Sequence, residues 1–179
     1  MGDGKVSVPG IDGNRRSRCL LFDWGGTVMR VFPEFEGPMS TWPRVELVDG
    51  LDEALAILRP DWTIALATNA ADSQEREIWS ALSRTGVEQL IDRVYCYRGV
   101  GHRKSEPEYF ESVLADLGIE AKDAVMVGDD FEADVASANR AGIRAVWFHE
   151  NAAERTTGSS HRTIFDLHEL PEALGLLVG

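Results

Sequence analysis

Short apolar runs recur along the chain, and most of them end at a cluster of polar residues. Continuous apolar runs predict buried strands over 19–22, 64–67, 124–127 and 144–148. Between them, apolar residues at three- and four-residue spacing predict helices over 51–58, 73–83, 107–117 and 131–141. Ser105 and Glu108, with Pro107 between them, match a capping box and predict a sharp start for the 107–117 helix.

This alternation of apolar strands and helices determines the predicted fold class. It indicates an α/β protein with a doubly wound, Rossmann-like, mostly parallel sheet that helices flank on both faces. Residues 1–17 show no periodicity and are expected to be a flexible leader, whereas 18–179 are expected to form a single domain. Ligands of such sheets bind at the carboxyl ends of the strands, where the polar clusters of this chain fall.

Composition narrows the function classes. A chain of 179 residues with 44% apolar residues can bury an ordinary core. The net charge of -12 disfavours non-specific binding to nucleic acid, which is itself a polyanion. The sequence contains neither an apolar stretch that could cross a membrane nor a secretory signal, and its two distant cysteines suggest no disulfide framework. We therefore expect a cytoplasmic protein without membrane contact.

The polar residues at the strand ends form a chemically coherent set. The set consists of Asp23, Thr68 with Asn69, Lys104, and the acidic residues Asp129, Asp130 and Asp134. Carboxylates that face one crevice repel one another unless a cation neutralises them, and oxygen ligands suit Mg²⁺. Lys104 adds a positive charge, and Gly25 and Gly26 would let backbone amides approach an anion. These features favour phosphoryl transfer through a carboxylate nucleophile.

Several of these residues also have a simpler structural interpretation. Asp130 can be a metal ligand or the N-cap of the next helix, and Asp134 can be an acidic residue near a helix N-terminus. Trp24 can be a core residue or a ring that stacks on a leaving group. The loop with Phe32, Phe35 and Trp42 is either an ordinary packed loop or a substrate wall. His102 and Arg103 are surface residues by default, and otherwise an acid and an anion clamp beside Lys104.

Four short motifs along the chain, in the order in which they occur, resemble those of the haloacid dehalogenase-like superfamily of hydrolases. Residues 23–27 (DWGGT) resemble its first motif, in which the leading aspartate attacks phosphorus, and 67–69 (ATN) resemble the second, which holds the phosphoryl group. Residues 104–110 (KSEPEYF) resemble the lysine motif, and 127–134 (VGDDFEAD) resemble the acidic motif that binds Mg²⁺. The resemblance implies that Asp23, the Gly25 carbonyl, Asp129, Asp130 and Asp134 are the metal-site candidates.

One position departs from the family pattern. Gly25 stands where the superfamily usually has a second aspartate, which acts as general acid and base and is typically worth about a hundred- to ten-thousand-fold in rate. Relatives without that aspartate include phosphonoacetaldehyde hydrolases, which need a lysine from a cap domain, and haloacid dehalogenases, which work without metal. Residues 28–50 and 70–103, where caps are inserted, are too short for a separate cap domain.

The expected function is a Mg²⁺-dependent phosphohydrolase that acts through an aspartyl-phosphate on Asp23 and favours good leaving groups. Thr68 and Lys104 would take part in catalysis, and Trp24, Gly25, Gly26 and Asn69 would contact the substrate or its phosphate. The substrate would be a phosphorylated small molecule or a larger molecule that carries an exposed phosphate. Without a cap domain, the site would be open to bulky substrates or covered by a neighbouring subunit. Two alternatives remain: a phosphate- or partner-binding domain without turnover, and a dehalogenase.

Overall fold

The computed structural model describes residues 17–150 and 156–178, which contain six parallel strands in one sheet. The strands are β1 Cys19–Phe22, β2 Thr63–Thr68, β3 Arg93–Cys96, β4 Ala124–Gly128, β5 Arg144–Phe148 and β6 His161–Ile164. The four apolar runs correspond to β1, β2, β4 and β5, so the predicted strands are present within one residue at each end. The α/β class with a parallel sheet is therefore confirmed.

The strand order β3-β2-β1-β4-β5-β6 places the first strand near the middle of the sheet. The chain moves outward from β1 to β3 on one side, and then returns to build β4 to β6 on the other. The direction of winding thus reverses between β1 and β4, whose carboxyl ends open the crevice where such folds bind ligands. Phe22 and Val127 pair in register there, and the Asp23 amide donates to the Val127 carbonyl at 2.8 Å.

Helices cover both faces of this sheet, as the doubly wound prediction requires. Their bounds are α1 Leu51–Leu58, α2 Glu75–Ser83, α3 Tyr97–Val100, α4 Pro107–Leu117, a π-helix Phe131–Ala136, α5 Ser137–Arg140 and α6 Leu170–Val178. Short 3₁₀ turns lie at Met39–Thr41, Val87–Leu90, Ala121–Asp123 and Leu167–Glu169. Leu20 and Phe22 of β1 pack with α1, α2 and α6, whereas Cys19 and Leu21 pack with α4 and α5. Both faces of β1 are therefore buried, which explains its continuous apolar run.

Two helix starts differ from the sequence prediction. The predicted capping box is wrong: the N-cap of α4 is Glu106, whose carboxylate accepts from the Arg103 amide at 3.0 Å, and Pro107 is the first helical residue. Ser105 lies in the preceding loop, so its hydroxyl does not cap the helix. Helix α2 begins at Glu75, two residues later than expected, because the Glu77 carboxylate accepts from the Gln74 amide at 2.7 Å.

Strands β3 and β6 and helix α6 lie outside the predicted elements. Neither of the stretches 28–50 and 70–103 forms a body of its own in the described residues; the second contributes α2, β3 and α3 to the main fold. The expected leader lies outside the described residues except for Ser17. Within the described part of the chain, every helix is too short or too polar to cross a bilayer.

Candidate active site

Three carboxylates converge at the crevice between β1 and β4. Asp23 follows β1, Asp129 follows β4, and Asp134 lies in the π-helix that begins two residues after Asp129. One oxygen from each carboxylate lies within 4.8 Å of the others. Asp134 is fully buried, whereas Asp129 is exposed. The sequence prediction that these three residues meet is consistent with this geometry.

Lys104 joins two of these carboxylates from the loop before α4. Its ammonium donates to Asp23 Oδ1 at 2.5 Å and to Asp134 Oδ1 at 2.6 Å, and the lysine side chain is only 2% exposed. Its backbone amide donates to Asn69 Oδ1 at 2.8 Å, which ties the lysine loop to the end of β2. An ammonium group has three N–H bonds, so one of them remains for a ligand oxygen.

The charges at this site do not balance within the protein. Burial alone would lower the pKa of Lys104, but the adjacent Asp23 and Asp134 carboxylates outweigh it and raise that pKa. The pKa values of Asp129 and Asp134 are both raised above the usual range. Burial is the largest cause, and the negative charge of Asp23 is the second. One buried ammonium therefore faces three carboxylates, and the cluster favours an additional cation.

The oxygen-only donor set fits Mg²⁺, and the neighbouring backbone leaves room for the carboxylates. Gly26 has φ +90°, and a Cβ there would lie 2.4 Å from Asp129 Oδ2. A Cβ on Gly128 would lie 2.1 Å from Asp134 Oδ2. Because both glycines lack a side chain, the acidic groups can lie directly against the main chain of the two turns.

Further side chains hold the cluster in place. The Thr27 hydroxyl donates to Asp129 Oδ1 at 3.0 Å, and Trp147 Nε1 donates to the Asp129 carbonyl at 2.9 Å. The Asp130 amide donates to Asp134 Oδ2 at 3.1 Å. Thr68 is buried at the end of β2, where its Oγ1 accepts from the Ala70 amide at 3.1 Å. The Thr68 hydroxyl proton consequently remains available to a ligand in the crevice.

Asp130, Trp24 and Gly26 each have defined contacts or a defined position in the structure. Asp130 caps the π-helix, where its Oδ1 accepts from the Ala133 amide at 2.9 Å. Trp24 is 3% exposed and belongs to the core cluster, and its indole N–H has no hydrogen-bond partner among the described residues. The Gly26 amide donates to the Met29 carbonyl at 2.8 Å, and its contact with a phosphate stays a prediction.

His102 and Arg103, which precede Lys104 in the sequence, contact residues outside the carboxylate cluster. His102 Nδ1 lies 3.0 Å from Glu106 Oε2, and the Arg103 guanidinium lies 4.6 Å from the centre of the Tyr97 ring. Neither residue lines the cavity at the carboxylate cluster. Their interpretation as surface residues therefore fits the structure, whereas roles as acid or anion clamp lack structural support.

An open cavity of about 390 Å³ lies above the cluster, which is large enough for a small organic ligand. Its lining residues are Asp23, Trp24, Gly25, Gly37, Met39, Trp42, Thr68, Asn69, Ala70, Asp72, Ser73, Lys104, Asp129, Asp130, Ala133 and Asp134. Met39, Asp72 and Ser73 line the cavity although no sequence motif predicts a role for them. Asp72 and Ser73 lie in the loop after β2, and Met39 begins a short 3₁₀ turn. The pattern of apolar strands that locates the site does not indicate which residues of the connecting segments line it.

Trp42 is the aromatic residue of the Phe32–Trp42 loop that reaches the cavity. Its ring centre lies 5.7 Å from that of Phe35 and 6.4 Å from that of Phe32. Its indole N–H donates to the Gly37 carbonyl at 3.1 Å. Phe32 and Phe35 thus pack beside Trp42, and do not themselves line this cavity.

Comparisons with known proteins agree with this architecture. A solved structure of an uncharacterized protein from Listeria monocytogenes serotype 4b is 28% identical, with a TM-score of 0.77 over 89% of this chain and 98% of that one. Among curated relatives, ribulose-1,5-bisphosphate 5-phosphatase from Halopiger xanaduensis is 35% identical over 99 residues, which cover 55% of this chain and 40% of that protein.

Phosphoserine phosphatase from Thermus thermophilus is 34% identical over 114 residues, which cover 62% of this chain and 45% of that enzyme. This chain therefore spans less than half the length of these curated phosphatases. The family model described as haloacid dehalogenase-like hydrolase matches residues 23–148, from the first carboxylate of the cluster to the end of β5. The chain belongs to the haloacid dehalogenase-like hydrolase family.

Proposed function

We propose that this protein is a Mg²⁺-dependent phosphohydrolase in which Asp23 is the nucleophile. The observation that carries the proposal is the position of the Asp23 carboxylate: it lies in an open cavity, 2.5 Å from the Lys104 ammonium and within 4.8 Å of Asp129 and Asp134 oxygens. The curated phosphatases that resemble part of this chain support the same reaction class.

Asp23, Asp129 and Asp134, together with the Gly25 carbonyl implied by the family resemblance, would hold the metal. When bound, Mg²⁺ supplies positive charge that offsets these carboxylates and a phosphoryl group. The third N–H of Lys104 and the Thr68 hydroxyl would donate to phosphoryl oxygens. Asn69 would act through Lys104, because its side-chain oxygen accepts from the lysine amide.

In the reaction, an oxygen of the Asp23 carboxylate attacks phosphorus, and the bond between phosphorus and the leaving-group oxygen breaks. That oxygen leaves with the bonding electron pair. Water then attacks phosphorus in the aspartyl-phosphate, the carboxylate of Asp23 leaves, and both protons of the water remain with the released phosphate. Because Gly25 offers no side chain to protonate the leaving group, esters and anhydrides with good leaving groups are the expected substrates.

Turnover of aryl, acyl and alkyl phosphates, with and without Mg²⁺, tests this function. We expect Mg²⁺-dependent release of phosphate from aryl and acyl phosphates, at least about a hundredfold faster than from alkyl phosphates, since this is the lower range of general acid catalysis. Asp23→Asn should abolish it. Binding of phosphate esters without turnover in the wild type would instead favour the binding-domain alternative.

Gly25→Asp tests directly whether the missing acidic side chain limits the hydrolysis of alkyl phosphates. Apart from its chain neighbours, the one described atom within 4 Å of a Cβ at this position would be Val31 Cγ2, at 3.2 Å, and the Val31 side chain is 54% exposed. The new carboxylate should raise alkyl phosphate hydrolysis by about tenfold or more, whereas the Gly25→Ala control should not. An unchanged rate in a folded Gly25→Asp protein would mean that another group already supplies the proton.

A further inference from the structure

The cavity above the carboxylate cluster has an unequal distribution of charge. Five aspartates line it, and Lys104 is the only basic residue among its described lining residues. The ammonium of Lys104 is buried and already bonded to Asp23 and Asp134. In the proposed function, the remaining N–H of Lys104 binds the reacting phosphoryl group. The described lining then offers no further cation to a second anionic group of the substrate.

Two arginines that brace the loops around the cavity, Arg84 and Arg98, are used in other contacts. The Arg84 guanidinium donates to the carbonyls of Ser40, Trp42 and Pro43 at 3.3, 2.7 and 3.2 Å. Arg98 donates to the Ala71 carbonyl at 2.6 Å. These bonds brace the loops that carry the cavity wall, and neither guanidinium lines the cavity itself.

The cavity lining combines the Trp42 ring with exposed carboxylates, among them Asp72. Trp42 is held by its bond to the Gly37 carbonyl and by its contact with Phe35, so its ring presents a fixed surface. Asp72 is exposed, and its Oδ1 accepts from the Ser73 hydroxyl at 3.2 Å. A tryptophan face and a carboxylate both attract an organic cation, and tryptophan is the strongest aromatic partner for one.

We propose that the natural substrate is a phosphate monoester whose organic part carries a protonated amine, recognised by Trp42 and Asp72. This inference rests on the proposed function for the position of the phosphoryl group. Asp72 and Trp42 then determine specificity. Substrates with a second phosphate or a carboxylate are disfavoured, because the charged side chains other than Lys104 in the described lining are acidic.

The test compares the phosphate esters of three phenols: tyramine, tyrosol and para-hydroxyphenylpropionate. Their side chains end in an ammonium, a hydroxyl and a carboxylate, while a two-carbon spacer keeps the leaving groups similar. We expect kcat/KM to fall from the amine to the alcohol to the acid by about five- to tenfold at each step, mostly through KM, as for exposed charge pairs and cation–π contacts. A rate order that does not follow charge would overturn the proposal.

Asp72→Asn should reduce the ratio of kcat/KM between the amine and the acid esters by about tenfold. Asp61→Asn is the matched control, because Asp61 is an exposed aspartate just before β2, at the end of the sheet opposite Asp72. Trp42→Leu should reduce the preference for amine over alcohol. If Asp72→Asn lowered all three rates equally, the specificity role would be wrong.

Equilibrium binding separates this inference from the proposed function. If the wild type turned over none of the esters, calorimetry with the same compounds would give their dissociation constants directly. Retention of the order amine, alcohol, acid without turnover would contradict the phosphohydrolase proposal and support the specificity proposal. Turnover without that order would support the phosphohydrolase proposal and contradict the specificity proposal.

Discussion

Gly26 and Gly128 make room for the two acidic side chains that accompany Asp23. Gly26 adopts φ +90° beside the Asp129 carboxylate, and Gly128 ends β4 directly against the Asp134 carboxylate. A sequence pattern identifies such glycines only as turn residues. Their role here is steric, because the atoms nearest to an added Cβ would be the carboxylate oxygens themselves.

Gly128→Ala tests this steric role. The added Cβ would lie 2.1 Å from Asp134 Oδ2 and would force Asp134 away from Lys104. We expect a loss of about 1–3 kcal/mol in the free energy of unfolding, as for overpacked cores, and at least a tenfold loss of phosphatase activity. Denaturant unfolding and steady-state kinetics measure the two effects.

Gly175→Ala is the matched control for that substitution. Gly175 lies inside α6, and a Cβ there would have no described atom within 4 Å apart from its chain neighbours and the helix's own backbone. The same glycine-to-alanine change should stabilise the protein there by about 0.5–1 kcal/mol, since alanine favours the helix. Equal effects of the two substitutions would refute the steric explanation.

The residues of the cluster could be predicted because each follows a strand or lies close to the start of a helix. Asp23 and Asp129 follow apolar runs, and their meeting follows from the rule for parallel sheets. The engagement of the Gly26 amide could not be predicted, since it depends on how the loop folds back to Met29. The same applies to Asp72, whose place on the cavity depends on loop geometry.

Among the elements, the two edge strands could not be predicted from the sequence for a physical reason. β3 and β6 each have four residues and only a partly buried pattern, whereas β1 is buried at every position. An edge strand has less neighbouring structure to cover it, so its sequence need not be continuously apolar. Helix α6 did carry a readable signal, because Leu170, Ala173, Leu174 and Leu177 are spaced for one buried face.

The helix predicted over 131–141 is present as two consecutive segments. It starts as the π-helix that contains Asp134 and continues as α5. Hydrophobic spacing cannot distinguish a π-turn from an α-turn over so few residues. π-turns are frequent at functional sites, and this one carries a carboxylate of the cluster.

The turn before α6 should give stability a measurable dependence on pH. His168 Nδ1 lies 2.6 Å from Asp166 Oδ1, and this hydrogen bond, followed by the nearby acidic charges, raises the pKa of His168. The stabilisation should be complete below about pH 6.5, the unfolded value, and should be lost as the pH rises through the higher folded value.

His168→Gln should therefore lower the Tm more at pH 6 than at pH 9, as thermal unfolding would measure. Asp166→Asn removes the hydrogen-bond partner and should greatly reduce the difference between the two pH values, since only the weaker Glu53 and Asp52 charges remain. A Tm difference between wild type and His168→Gln that is constant, or larger at pH 9, would contradict the role assigned to this pair.

At the scale of the whole molecule, part of the excess negative charge lies at the carboxyl ends of the central strands β1 and β4. The chain has a net charge of -12, and the cavity carries five of its carboxylates against one ammonium. Such a site is destabilised by its own repulsion until a cation binds. The stability of the fold should thus depend on the metal.

Mg²⁺ should raise the Tm of the wild type. At a hundredfold excess over its Kd, binding to the folded state contributes about 2.7 kcal/mol, which corresponds to roughly 5–10 °C for a chain of this size. Differential scanning calorimetry at several Mg²⁺ concentrations measures this shift.

Asp129→Asn should nearly abolish the Mg²⁺ shift while leaving the metal-free Tm equal to or above that of the wild type, because one repelling charge is gone. Asp61→Asn, at the opposite end of the sheet, should keep the full shift. A metal-independent Tm in the wild type would contradict the metal site.

The most direct measurement is the detection of a phosphoryl group on Asp23. An aryl phosphate is mixed with the Mg²⁺-loaded protein, the reaction is quenched with acid, and the acyl phosphate is reduced with borohydride before peptide mass spectrometry. We expect conversion of Asp23 to homoserine in wild type and none in Asp23→Asn. Turnover without homoserine at position 23, or with the reduced product at another residue, would contradict the nucleophilic role of Asp23.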